Sequence, residues 1–177
     1  MFSTKPSMKR LFSTIAIAAT LIGFPVVSLA QSLPGLVLFG GPRSESRLSY
    51  RLDFGGRANA PGERYRLRVP AKKLNLAVAQ FAITYPDYFD GKFDQKSIDV
   101  RVKGKNIPLQ EVKWDEENHV IEIYPQEPIP ANSSVEIVLS NVKNPPFGGV
   151  YYFNCQVLSP GDAPLLRYIG TWVLSIT

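Results

Sequence analysis

Cysteine and histidine are almost missing from this sequence: its 177 residues include one of each, Cys155 and His119. A single thiol cannot close an internal disulfide, so the fold has to rest on its hydrophobic core. One imidazole cannot build a histidine-rich zinc or copper site, and one Cys with one His offers no ligand spacing for a metal. No Gly-x-Ser-x-Gly elbow or other nucleophile signature accompanies His119, and no cofactor motif is present, so no cofactor is expected. A sustained 3.6-residue apolar stripe is absent after residue 31, which argues against a helical domain. There is no internal repeat and no second long apolar run, so no transmembrane segment is expected beyond the first thirty residues. An excess of one charge is lacking too. Setting aside Lys5, Lys9 and Arg10 of the leader leaves 17 basic residues against 15 acidic ones, or +2. That balance argues against nucleic-acid binding.

What is present begins with an export pattern. Lys5, Lys9 and Arg10 give a positive start, Leu11 to Leu29 carry no charge, and Ser28-Leu29-Ala30 forms a small-x-small cleavage signal before Gln31. Residues 1–30 therefore read as a signal peptide in helical form, with Met8 as an alternative initiator. The competing reading is an uncleaved anchor, since residues 11–30 are long enough to span a bilayer. Pro25 and the short apolar stretch before it favour cleavage. No cysteine follows the run, which argues against a lipoprotein. The expected location is periplasmic or secreted. The remaining 147 residues, 31–177, suit one domain, which at this size buries about 68–70% of its unfolded surface.

Two-residue alternation recurs after the leader. Arg47 to Phe54 place every even position on an apolar side; Arg64 to Val69, Ser97 to Val102 and Val135 to Leu139 repeat the pattern, with Val138 as the one lapse. Side chains along a strand face opposite ways in turn, so each stretch reads as a strand half in the core. Leu74 to Thr84 has an Ala-rich middle but ends on Tyr85-Pro86 among strands, and is read as a strand. Gly, Pro and Asn clusters mark the breaks, with tight hairpins expected at Lys103 to Asn106 and Asp115 to Asn118. About nine short strands at this spacing predict an all-β, two-sheet immunoglobulin-like β-sandwich. The expected division is a signal at 1–30, an irregular lead-in at 31–46 with an edge strand at Leu36 to Phe39, and a sandwich at 47–177.

Four features carry a family resemblance: Tyr65-x-Leu67-x-Val69-Pro70; the Gln80 to Tyr85 strand followed by Phe93-Asp94 and Ile98-Asp99-Val100; Pro128-Ile129-Pro130 running into Val135 to Leu139; and Val142-Lys143-Asn144-Pro145 followed by Gly148-Gly149-Val150-Tyr151-Tyr152-Phe153. From about Tyr65 to Thr177 the chain resembles a family of exported cyanobacterial proteins, domain of unknown function 2808. Ala131 stands where that family tends to have glycine. The resemblance implies export and this fold, and supplies no activity. The last block is also similar to the tyrosine corner of immunoglobulin-like domains, where a Tyr hydroxyl ties back to nearby backbone. Tyr151, Phe153 and Cys155 are expected inside, Cys155 as a small buried hydrophobe. A fainter similarity to sandwich-fold periplasmic copper carriers lacks their histidine at the mature end, here Gln31-Ser32-Leu33.

The candidate sites are few. Asp87, Asp90 and Asp94 could clasp calcium weakly, but their spacing is not that of an EF-hand, and a turn with local hydrogen bonds is the simpler reading. His119 reads as a strand-end residue beside a hairpin turn. Asn132-Ser133-Ser134 fits a sequon and reads as a turn. Arginine placement is the least ordinary feature. If the alternation holds, Arg47, Arg51, Arg64, Arg66 and Arg68 all point outward and form one anion-binding face. Arg43 to Lys73 holds nine basic residues against three acids; Asp87 to Glu136 holds eleven acids against six bases. The plain alternative is a solvated face of cross-strand pairs. The expected role is non-enzymatic: a binding or structural component of the cell envelope, with an anionic envelope component or an acidic protein as partner. The alternatives are a hydrolase with a carboxylate-lined loop site, and periplasmic copper or calcium binding.

Overall fold

The computed structural model describes residues 41–161 and 165–177. The signal segment at 1–30, and the lead-in as far as residue 40 with its expected strand at 36–39, lie outside the described residues. The rest of the lead-in includes one turn of 3-10 helix, Ser44–Ser46. Eleven strands follow among the described residues: β1 (Arg47–Leu48), β2 (Tyr50–Leu52), β3 (Glu63–Val69), β4 (Gln80–Thr84), β5 (Ile98–Val102), β6 (Lys105–Ile107), β7 (Leu109–Asp115), β8 (Val120–Pro125), β9 (Val135–Val142), β10 (Gly149–Leu158) and β11 (Arg167–Ile176). They form a six-stranded sheet in the order β1-β11-β10-β4-β8-β7 and a five-stranded sheet in the order β2-β3-β9-β5-β6. The result is an immunoglobulin-like β-sandwich, as the alternation predicts.

The core lies between the sheets and is built by that alternation. Tyr65, Leu67 and Val69 of β3, Val135, Ile137 and Leu139 of β9, and Ile98 and Val100 of β5 are buried. They face Phe81 and Ile83 of β4, Phe153, Cys155 and Val157 of β10, and Trp172 and Leu174 of β11, also buried. The side chains that alternate with them lie on the outer faces.

The even alternation of Arg47 to Phe54 conceals a change of sheet. Leu48 pairs in parallel with Trp172, whereas Tyr50 pairs antiparallel with Leu67. Ser49 is the crossing point, and its carbonyl accepts the Arg68 N–H at 3.0 Å. Alternation is the same on either sheet, so periodicity could not reveal the switch. Leu74 to Thr84 is likewise not one strand. Ala71–Lys73 is a 3-10 turn, Val78 makes a lone bridge to Ile129, and only Gln80–Thr84 joins a sheet. The segment carries the chain from β3 in one sheet to β4 in the other, so it cannot stay in one ladder.

The β5–β6 hairpin turns on Lys103 and Gly104, with φ of +49° and +81°. Positive φ at both central residues is what a two-residue hairpin requires. The β7–β8 turn is held by the Asp115 carboxylate, which accepts from the Asn118 N–H at 3.0 Å and from Asn118 Nδ2 at 2.7 Å.

Candidate functional site

The five-stranded sheet turns a charged face outward, and its register sets the charges in rows. One row runs Arg68–Glu136–Arg101–Asn106 across β3, β9, β5 and β6. The next runs Arg51–Arg66–Val138–Asp99 across β2, β3, β9 and β5. Asp53, just past the end of β2, and Arg64 lie beyond them. Neighbouring strands are about 4.8 Å apart, close enough for each guanidinium to meet a carboxylate on the adjoining strand.

Two carboxylates hold the arginines in place. Asp53 accepts both bonds from Arg66 Nε, at 2.8 and 3.0 Å, and pairs with Arg51 at 3.0 Å and Arg64 at 3.7 Å. Glu136 pairs with Arg68 at 3.0 Å, Arg66 at 3.2 Å and Arg101 at 3.6 Å. Burial works against ionising Asp53, but the Arg66 hydrogen bond and the charges of Arg66, Arg51 and Arg64 outweigh it and hold the carboxyl below its ordinary range. Glu136 is lowered in the same way: burial opposes, and hydrogen bonds from Arg68 and Arg66 prevail. Arg64 also donates to Ser140 Oγ at 3.2 Å, and its guanidinium sits 5.7 Å from the Phe54 ring centre. Val138, the lapse in the alternation, sits between Arg66 and Asp99 on this outer face and is nonetheless 1% exposed. Long arginine stems can cover an apolar neighbour while their heads reach water, which accounts for a valine there.

The face differs from its sequence-based expectation in two ways. Arg47 is not on it. The chain changes sheet at Ser49, so Arg47 sits opposite Thr171 on the six-stranded sheet and donates from Nε to the Pro42 carbonyl at 3.4 Å. Arg51, Arg64, Arg66 and Arg68 do share it, joined by Arg101. The face is also less basic than five bare arginines, because Asp53, Asp99 and Glu136 stand among them and leave two positive charges in excess. Sequence reasoning missed Arg101, Glu136 and Asp53 as members. Their outward parity was readable in each strand, but the β3-β9-β5 adjacency that unites them was not.

Toward the Lys103-Gly104 hairpin, the Arg68–Glu136–Arg101 row ends in a shallow notch of about 340 Å³. Ser49, Pro70, Gly104 and Ser134 complete its walls.

The other candidates are dispersed or occupied. Asp87 and Asp90 are exposed, while Asp94 caps a 3-10 turn, accepting from Lys96 N–H at 3.0 Å, Ser97 Oγ at 2.8 Å and Asn141 Nδ2 at 3.0 Å. Among the described residues no three His, Cys, Asp or Glu side chains gather as a metal site. Asp87, Asp90 and Asp94 are therefore not brought together as a calcium clasp. Phe89 and Phe93 of this loop are buried and pack with Tyr85 and Phe153 at centroid distances of 5.0–6.2 Å, which turns the aspartates outward. His119 has φ +54° and serves the turn, its carbonyl accepting the Tyr85 N–H at 3.0 Å. Asn132 also turns the chain, at φ +58°.

Tyr151, Phe153 and Cys155 are buried on one face of β10. The Tyr151 hydroxyl donates to the Phe147 carbonyl at 2.8 Å, the tie-back of a tyrosine corner. Burial pushes the Cys155 thiol far above its usual range, in keeping with a small buried hydrophobe. Asn144 of the same block is fully buried, accepting from the Tyr65 hydroxyl at 2.6 Å and donating to the Arg57 carbonyl at 2.7 Å. No helix among the described residues is long and apolar enough to cross a membrane.

These features define an immunoglobulin-like sandwich with an arginine-rich outer sheet face. The chain belongs to the family described as "Protein of unknown function (DUF2808)", whose model matches residues 36–176. The match begins well before Tyr65 and takes in both halves of the charged face. A search of curated proteins finds no match. Among solved structures the chain is similar to the collagen-binding domain of a Staphylococcus aureus adhesin, at 11% identity over 73% of this chain and 95% of that one, TM-score 0.43. It is also similar to BslA, a bacterial hydrophobin, at 15% identity over 74% and 97%, TM-score 0.47. A third is an uncharacterised immunoglobulin-fold protein from Nocardia farcinica, at 10% identity over 73% and 97%, TM-score 0.40.

Proposed function

We propose that this protein is an exported, non-enzymatic binding or structural component of a cyanobacterial cell envelope, and that the outer face of its five-stranded sheet holds an anionic partner. The observation that carries this reading is the pair of charge rows. Five guanidiniums are fixed on one sheet face by only two paired carboxylates. The outer members stay open to solvent, Arg51 at 63% and Arg68 at 49% side-chain exposure. A guanidinium presents five donors and a carboxylate occupies at most two of them, so each arginine keeps capacity for a further anion. Export is supported by the leader pattern at 1–30.

The test is retention of the full chain on dextran sulfate beside neutral dextran. The wild type is expected to bind the sulfated matrix and to elute with rising salt, since exposed charges are screened over about 8 Å at physiological ionic strength. The triple variant Arg51→Gln, Arg64→Gln, Arg68→Gln is expected to elute at clearly lower salt. Equal elution of the two proteins would remove the face from the function. For export, mass analysis of the envelope-fraction protein is expected to show a chain beginning at Gln31; recovery of residues 1–30 on the protein would favour the anchor.

A further inference from the structure

We propose that the notch at the end of the Arg68–Glu136–Arg101 row is a subsite for a single uronate unit of an acidic polysaccharide. This deepens the anionic-partner reading and rests on it.

The clamp is already built. Glu136 stands between Arg68 and Arg101 in the sheet register, with one arginine on the strand to either side. Its Oε1 takes Arg68 Nε at 3.0 Å, its Oε2 faces Arg101 Nη1 at 3.6 Å, and Arg101 Nε is further fixed on Asn106 Oδ1 at 2.9 Å. Two strand spacings place the arginine backbones about 10 Å apart, a span that suits one pyranose ring. Both side chains remain partly exposed, at 49% and 32%, so the Nη donors that Glu136 leaves free can meet a sugar carboxylate as a planar fork. Holding flexible cations in position before the ligand arrives removes part of the ordering cost of binding.

The rest of the notch suits a sugar better than a lipid or an acidic protein segment. Ser49 and Ser134 offer hydroxyls, and Pro70 offers an apolar edge for ring C–H groups. None of the large hydrophobic side chains exposed in the described chain lines it, so it offers nothing to embed in a bilayer. A volume of about 340 Å³ lies at the small end of ligand sites and admits one ring, with the polymer continuing across the open face.

The experiment titrates the full chain, amide-labelled for NMR, with trigalacturonate and with its neutral methyl ester. Trigalacturonate is expected to shift the amides of Ser49, Gly104 and Ser134, and the ester to shift none of them. Arg68→Gln and Arg101→Gln should each weaken binding about tenfold, and Arg51→Gln less than twofold. Ser134→Glu, on an exposed residue outside the core, should abolish the shifts while leaving the melting temperature within a degree or so of wild type. Equal binding of the ester, shifts confined to other residues, or an Arg51→Gln loss matching that of Arg68→Gln would overturn the subsite. Retention on dextran sulfate or on phosphatidylglycerol vesicles, without any trigalacturonate shift, would overturn the uronate proposal and leave the anionic face standing. Retention on no polyanion at all would remove both.

Discussion

The carboxylate of Glu63 supports a stretch of backbone that no strand partners. It is 1% exposed and accepts the N–H groups of Phe54 at 2.8 Å, Gly56 at 2.8 Å and Arg64 at 2.9 Å. Gly56 has φ +62°, in the left-handed region that glycine tolerates, and this aims its N–H at the carboxylate. Glu63→Ala would leave these donors unpaired, two of them in a loop with no ladder to join. A buried donor without a partner costs about 1–3 kcal/mol, and bonds to charged groups lie at the upper end. The variant should therefore lose about 2–3 kcal/mol in a urea titration with the m-value unchanged, and Glu63→Gln should lose less, since its amide oxygen can still accept. Glu63 sits at the start of an alternating segment, where an inward carboxylate breaks the pattern; nothing in sequence showed that a neighbouring loop would satisfy it.

At the scale of elements, the tightest constraint is the parallel pairing of β1 with β11. A Cβ added at Gly170 would lie 2.5 Å from the Ser46 carbonyl and 2.9 Å from Leu48 Cγ. The backbone oxygen cannot swing aside as a side-chain tip could. Gly170→Ala should push β1 off its sheet, costing about 1–3 kcal/mol as overpacking does. Amide exchange at Leu48 should speed up while β2, anchored on β3, stays protected; uniform protection loss would show instead that β1 and β2 open as one unit. The same elements show what could be read from sequence. Parity within a strand was legible, and with it the buried sides of β3, β5, β9 and β10. Which strands lie side by side was not, because alternation looks the same on either sheet. That is why Arg47 was grouped with Arg51, and why the 74–84 segment, which changes sheets, read as one strand. The Asp87 to Asp94 loop was misleading for a related reason. Its aspartates draw notice, but Tyr85, Phe89 and Phe93, spaced by four, are what plug it into the core.

For the whole molecule, the split into a basic first segment and an acidic later one is partly cancelled by folding. β9 and β5 bring Glu136 and Asp99 in among the arginines of β2 and β3. What the sequence presents as a separation of charge becomes, in large part, a mutual dependence, and this gives stability a defined acid limit. Asp53 and Glu136 both have folded-state pKa values held below their ordinary 3.8 and 4.5 by the surrounding arginines. A lowered folded value means that the unfolded chain takes up protons first as pH falls. Their contribution is therefore complete above about pH 5 and declines as pH drops through the ordinary range toward the lowered values. Once both are protonated, five arginines face one another on the sheet without counter-charge from those two groups. The urea midpoint of the wild type should accordingly be flat from pH 7 to about 5 and fall steeply as pH drops below the ordinary carboxylate range. The double variant Asp53→Asn, Glu136→Gln should start lower at pH 7 and show a clearly shallower fall, because the two linked protons are gone. Added salt should lessen the wild-type loss at pH 3, since repulsion among the outer arginines is screened there while the more buried Arg66 is screened less. If the double variant keeps the wild-type slope, acid sensitivity belongs to other carboxylates, with Asp94, lowered by hydrogen bonds from Asn141, Ser97 and Lys96, and Asp115, lowered by hydrogen bonds from Asn118, as the ones to exchange next.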